Sequence, residues 1–158
     1  MTLTSVILFR GAYLDNQTHP RNADYVPTSD SVITHESYSP DDIRQRLSEL
    51  SMTTDALKGA NEFIHDIVPN AKVIYNGEKN PYYYGKTSDD FSTITITSIY
   101  LTLSTEDRRY VLVHEACHIL SKDMHHDDSF YNELDMLVYI LGISIESGKR
   151  LEYRGHWN

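Results

Sequence analysis

The sequence predicts an α+β domain in which helices precede and follow a small, mostly antiparallel sheet. Apolar residues recur at helical spacing after residue 39, threonine and isoleucine alternate over residues 93–97, and two further helical patterns follow residue 104. Helices grouped on either side of short strands are typical of α+β architecture. A chain of 158 residues is long enough to form one domain with its own core.

Composition narrows the class of protein. The formal net charge of −9 gives no support for a nucleic-acid partner, because phosphate binding needs clustered lysine and arginine. The lone cysteine, Cys117, excludes an internal disulfide and fits a reducing, cytoplasmic compartment. No apolar run approaches the roughly 20 residues that span a bilayer, so we expect no membrane partner. Nothing in the sequence indicates an oligomeric state.

The amino-acid composition of the chain changes near residue 38. Residues 1–38 are polar, and we expect an arm or loops, with short strands, packed on a domain formed by residues 39–158. Ser39, Pro40 and Asp42 form a capping-box pattern that begins a helix. Its apolar stripe continues until Pro69, and whether "SMTTD" interrupts it stays open.

Three strands and two helices are expected beyond this point. The strands are "AKVIYN" (71–76), "YYYG" (82–85) and "STITITSIYL" (92–101), the last with clear alternation. Ser104 caps a helix that ends near Ser121, and a final helix runs from Ser129 to Ile145. The basic end of the chain, "GKRLEYRGHWN", is expected to be a solvated tail.

The motif "HEACH" lies within the helix that follows Ser104. Residues four apart share one helix face, so His114 and His118 can present their imidazoles to one zinc ion. Glu115 sits where a carboxylate can act as general base on a water molecule without ligating the metal. The spacing therefore supplies two ligands and one base from a single rigid element.

A chance pair of histidines is the alternative, since the chain has eight of them. The context argues against chance, because the rest of this helix is apolar at Leu112, Ala116 and Ile119. Two histidines and a glutamate on a buried helix are costly without a partner such as a metal. Cys117, on the same helix, is expected to be a small core residue.

A catalytic zinc needs a third protein ligand and an open position. The segment "HEACHILSKDMHHDDSFYNELDML" resembles the active-site segment of the SprT-like and WLM-type metallopeptidases. In those families a third histidine follows the motif after a short polar loop, and a phenylalanine lies four residues beyond it. His126 and Phe130 match that spacing. The resemblance implies a zincin-type domain that binds Zn²⁺ through His114, His118 and His126, with Glu115 as catalytic base.

Several alternatives remain open. His125 is a rival third ligand, or a fourth ligand that would close the site, and Glu133 or Glu146 would make it a gluzincin-type centre. A single cysteine and an acidic charge exclude the zinc ribbon that SprT-like proteins often carry, so a role on DNA does not transfer. The scaffold could also bind metal and act as a non-catalytic binding or inhibitory module.

We therefore expect a zinc-dependent peptidase that acts on a protein or peptide substrate. The threonine–isoleucine strand is expected to be the edge strand that pairs with the extended substrate. Zinc peptidases often stabilise the oxyanion with a tyrosine or histidine, and the sequence chooses none among Tyr82, Tyr83, Tyr84, Tyr131, Tyr153 and His156.

Overall fold

The computed structural model describes residues 38–158. The arm and strands predicted within residues 1–37 lie outside the described residues. Contacts divide the chain into the units Met1–Met52 and Thr53–Asn158, and the sheet belongs to the second. The elements, in chain order, are α1 (Pro40–Ile67), β1 (Lys72–Tyr75), β2 (Gly85–Thr87), β3 (Thr93–Ile96), α2 (Ser98–Leu101), α3 (Thr105–Ser121), α4 (Asp128–Ile140) and α5 (Ile145–Arg154).

Helix α1 begins at the predicted capping box. The Asp42 backbone N–H donates to Ser39 Oγ at 3.1 Å, and the Ser39 N–H donates to Asp42 Oδ2 at 3.2 Å. The helix then continues through "SMTTD" for 28 residues in all. Threonine lowers helix propensity only slightly, so a stretch with two threonines does not by itself end a helix.

The sheet has the strand order β1-β3-β2 and is mixed. Strand β1 runs parallel to β3, whereas β2 runs antiparallel to it. The α+β class is confirmed, with one pairing of each kind where we expected mostly antiparallel pairing. Since β3 has a neighbour on both sides, the prediction that it is an edge strand is wrong. The edge strands of the described sheet are β1 and β2.

Two strand boundaries differ from the prediction. Strand β3 stops at Ile96 and α2 follows from Ser98, because the alternation of threonine and isoleucine ends at Thr97 and Ile99, Tyr100 and Leu101 then form a continuous apolar run. Strand β2 begins at Gly85, where "YYYG" was expected to end. Of that segment, Tyr84 instead donates its backbone N–H to the carbonyl oxygen of His156 at 3.1 Å.

Helix α3 is the central element of the second unit. Ser104 caps it as predicted, accepting a hydrogen bond from the Asp107 N–H at 3.2 Å, and Lys122 ends it in the left-handed conformation. Every residue from Tyr110 to Ile119 is buried. Strands β2 and β3 pack on this helix, and so do α4 and α5. The motif therefore lies at the centre of the core.

The last two helices replace the single helix predicted over residues 129–145. Helix α4 ends because Gly142 adopts a positive φ of 65°, and the Ile143 N–H then bonds back to the Val138 carbonyl at 2.9 Å. Ser144 caps α5, whose buried face is Ser147, Gly148 and Leu151.

The prediction of a solvated tail is therefore wrong. The basic residues of this segment lie on the exposed face of α5, while Gly148 and Leu151 pack inward. Among residues 38–158, no helix combines the length and apolar character needed to cross a bilayer.

Candidate metal centre

Three histidines converge beside α3. His114 and His118 lie one turn apart on this helix, and His126 precedes α4. The Nε2 atom of His126 lies 2.9 Å from Nε2 of His114 and 3.0 Å from Nε2 of His118. Their three candidate ligand atoms all lie within 4.8 Å of one another. His114 and His118 are fully enclosed, and His126 is the most exposed of the three.

The outer nitrogens of two of these rings have fixed partners. Nδ1 of His114 lies 3.0 Å from Glu152 Oε1, and Nδ1 of His118 lies 2.7 Å from the Asp123 carbonyl oxygen. Both partners only accept hydrogen bonds, so each Nδ1 carries the proton and each Nε2 carries a lone pair. His126 can donate at most one proton to two lone pairs. A cation between the three rings would satisfy the Nε2 lone pairs that meet there.

The donor set fits zinc. Burial lowers the pKa of His114, His118 and His126, which keeps the imidazoles neutral, as metal ligation requires. Zinc–nitrogen bonds of about 2.0–2.1 Å in a tetrahedral site separate ligand nitrogens by roughly 3.3 Å. The separations from His126 Nε2 are only a few tenths of an ångström shorter.

The rival ligands lie outside this cluster. The His125 side chain is 85% exposed and bonds to Asp123 Oδ1 at 2.6 Å. Glu133 and Glu146 are both exposed. The histidine cluster includes none of these three residues. A fourth ligand from His125, which would close the site, has no support in this arrangement.

Two aromatic rings enclose the histidines. Phe130 is buried in the first turn of α4 and stacks on His118 with ring centroids 4.3 Å apart. Trp157 stacks on His114 with centroids 3.8 Å apart and planes 11° apart. The stacking holds both imidazole rings at fixed angles and excludes water from their faces.

Glu115 points from α3 toward the sheet and is almost fully buried. Its Oε2 accepts a hydrogen bond from the Thr87 hydroxyl at 2.8 Å. Burial raises the pKa of Glu115, and the bond from Thr87 opposes that rise. The absence of a side chain at Gly85 allows this approach, because a Cβ there would lie 3.3 Å from both Glu115 Cγ and Val111 Cγ1.

Sequence reasoning missed Thr87, Glu152 and Trp157. For Glu152 there was a partial signal, because Ser144 is a helix cap and residues 147, 148, 151 and 152 share one face of the helix it begins, although the partner of that face is not visible in the sequence. For Trp157, which lies beyond that helix, there was none. For Thr87 there was no signal, since a three-residue strand gives no usable pattern.

Comparisons with known proteins give little information about this site. No protein-family model matches the chain, and no curated protein matches it. Among solved structures, the chain is similar to the metallopeptidase zymogen abylysin of Pyrococcus abyssi, with 26% identity over 67% of this chain and 97% of that one and a TM-score of 0.46. The functional proposal is therefore based on the histidine cluster itself.

Proposed function

We propose that this protein is a zinc-dependent peptidase in which His114, His118 and His126 hold the metal. The observation that supports this most strongly is the meeting of Nε2 lone pairs from His114 and His118 at His126, with both outer nitrogens committed to acceptors. Three protein ligands leave a fourth position for water or substrate, as in catalytic zinc sites.

The chain's own residues supply the proton transfers. When bound, zinc supplies a Lewis acid that polarises a peptide carbonyl and a water molecule. Glu115 accepts the proton of the attacking water and returns it to the departing amine nitrogen. The raised pKa of Glu115 suits both steps. A carboxylate with a raised pKa takes the proton from water more readily, and its protonated form persists until the amine leaves. Thr87 holds one carboxylate oxygen, so the other is free to face the water.

Strand β2 is our candidate for pairing with the extended substrate, in place of β3. It is an edge strand that packs directly on α3 at Gly85 and Thr87. Tyr84 accepts a hydrogen bond from the Thr97 N–H, just after β3, and the Ser88 N–H donates to the Thr93 carbonyl oxygen. In this antiparallel register the main-chain N–H and C=O groups of Gly85 and Thr87 point away from β3. A peptide added there would pair through backbone hydrogen bonds beside the general base.

The finer assignments belong to the same proposal. The spacing of His126 and Phe130 and their contacts with the motif histidines support a relation to the SprT-like and WLM-type zincins. A reducing, cytoplasmic compartment suits the buried, unpaired Cys117.

The test compares wild-type protein with Glu115→Gln and with the double variant His114→Ala/His118→Ala. We expect about one zinc in the wild type and in Glu115→Gln, and none in the double variant. Glu115→Gln should slow peptide hydrolysis by about 10²–10⁴, the usual contribution of a general base. Equal cleavage by wild type and Glu115→Gln would contradict the peptidase. Binding of a partner without hydrolysis in either would indicate the non-catalytic alternative.

A further inference from the structure

We propose that Glu152 is a positioning residue of the metal centre, and that through it α5 becomes part of the site. Glu152 holds the His114 ring in the tautomer and orientation that present Nε2 to the metal. The inference rests on the proposed function, and it assigns a role to a segment whose sequence predicted only a tail.

The Glu152 carboxylate accepts hydrogen bonds from three donors. Oε1 accepts from His114 Nδ1–H at 3.0 Å and from the Tyr110 hydroxyl at 2.8 Å, and Oε2 accepts from the Tyr131 hydroxyl at 3.4 Å. All these partners come from α3 and α4. The carboxylate is thus fixed at both oxygens.

The position of Glu152 distinguishes it from a ligand. It contacts the ring of His114 at Nδ1, which is the nitrogen that faces away from the histidine cluster. A carboxylate there orients the imidazole and raises its basicity, as commonly found behind histidine ligands. Without this acceptor, a His114 side chain that is 1% exposed would hold an unpaired Nδ1–H. The ring would then favour the tautomer with the proton on Nε2, which leaves no lone pair on that nitrogen for the metal.

The packing of α5 sets the position of Glu152. Gly148 lies one turn earlier on the same helix face and contacts the Tyr110 ring so closely that a Cβ there would lie 2.5 Å from Tyr110 Cε2. The same tyrosine then directs its hydroxyl to Glu152. Beyond the helix, Trp157 covers the face of His114. Three residues of the C-terminal segment therefore fix one ligand.

The test measures zinc affinity, by competition with a chelator, for Glu152→Ala, Glu152→Gln and Tyr110→Phe. Tyr110→Phe is the matched control, since it removes a donor to the same oxygen but leaves His114 its acceptor. We expect Glu152→Ala to bind zinc about 10–100-fold more weakly, the usual effect of losing such a partner. Glu152→Gln, whose amide oxygen still accepts, should be intermediate, and Tyr110→Phe, which leaves His114 its acceptor, should lose clearly less affinity than Glu152→Ala.

A second readout follows the His114 Nδ1–H proton directly by NMR. The resonance should persist in Tyr110→Phe and disappear in Glu152→Ala. Folded Glu152→Ala with wild-type zinc affinity would overturn the assignment, and so would an equal loss in Tyr110→Phe. If Glu152→Ala does not fold, unchanged affinity in Glu152→Gln overturns it instead. Failure of the wild type to bind zinc would contradict the proposed function, while the proton resonance would still test the contact.

Discussion

Thr87 and Glu115 are joined by a buried hydrogen bond between side chains 28 residues apart in the sequence. The Thr87 hydroxyl lies 2.8 Å from Glu115 Oε2 and 3.1 Å from the carbonyl oxygen of the same residue. Thr87 is the last residue of β2, and Glu115 lies in the middle of α3. The candidate edge strand is therefore linked directly to the candidate general base, and movement of one would move the other.

Thr87→Val should reduce the rate of hydrolysis. Valine keeps the β-branched shape but removes the donor, and a buried carboxylate left without it costs about 1–3 kcal/mol. We expect kcat to fall about tenfold with little change in KM, since 1.4 kcal/mol corresponds to a factor of ten. Steady-state kinetics on a peptide substrate give both constants.

Thr87→Ser is the matched control for that change. Serine restores the hydroxyl and should recover most of kcat, with zinc content unchanged in both variants. If Thr87→Val and Thr87→Ser lose activity equally, the effect comes from packing in β2 and not from the hydrogen bond.

His126→Ala should weaken zinc binding far more than His125→Ala. His126 brings its Nε2 within 3.0 Å of both motif histidines, whereas His125 is exposed and bonds to Asp123. Loss of even an outer partner of a ligand costs roughly 10–100-fold in affinity, so loss of His126 should cost more than about tenfold. Chelator competition measures both variants. The reverse ranking would show that the loop between α3 and α4 rearranges when it binds metal.

The helix that contains the motif could be predicted from the sequence because the signals that define it are local. Ser104 and Asp107 mark where α3 begins, and the spacing of His114 and His118 requires only helical geometry. The third histidine of the cluster, His126, was predicted from a family resemblance. The ring of Phe130 contacts the ring of His126, and no local sequence rule predicts that contact.

The residues that contact the candidate ligand His114 and the candidate base Glu115 could not be predicted from local patterns. Glu152 meets His114 across 38 residues, and Thr87 meets Glu115 across 28. Such pairs depend on how α5 and β2 pack on α3. The order of the strands is likewise non-local, which is why β3 was expected at the edge of the sheet and lies at its centre.

Cys117 should be inert toward thiol reagents in the folded protein. It is fully buried, with Sγ 3.8 Å from the Phe130 carbonyl oxygen, and burial raises the pKa of its thiol to about 12. At pH 8 almost none of it is thiolate, which is the reactive form. Because the chain has one cysteine, a colorimetric thiol assay should find no reactive thiol in the native state and one after denaturation. Labelling at the same rate in both states would contradict the packing of α4 on α3.

Gly148→Ala and Gly59→Ala should change stability in opposite directions, although both add one methyl group to a helix. At Gly59, in α1, an added Cβ meets nothing within 4 Å, so alanine should stabilise by about 0.5–1 kcal/mol through helix propensity.

At Gly148 the same atom would lie 2.5 Å from a ring carbon of Tyr110, and relieving that overlap should cost about 1–3 kcal/mol. Urea denaturation measures both variants. Because the relief must move α5 or the Tyr110 ring, Gly148→Ala should also weaken zinc binding, which Gly59→Ala should leave unchanged. A stability gain in Gly148→Ala equal to that in Gly59→Ala would show that α5 does not pack on Tyr110.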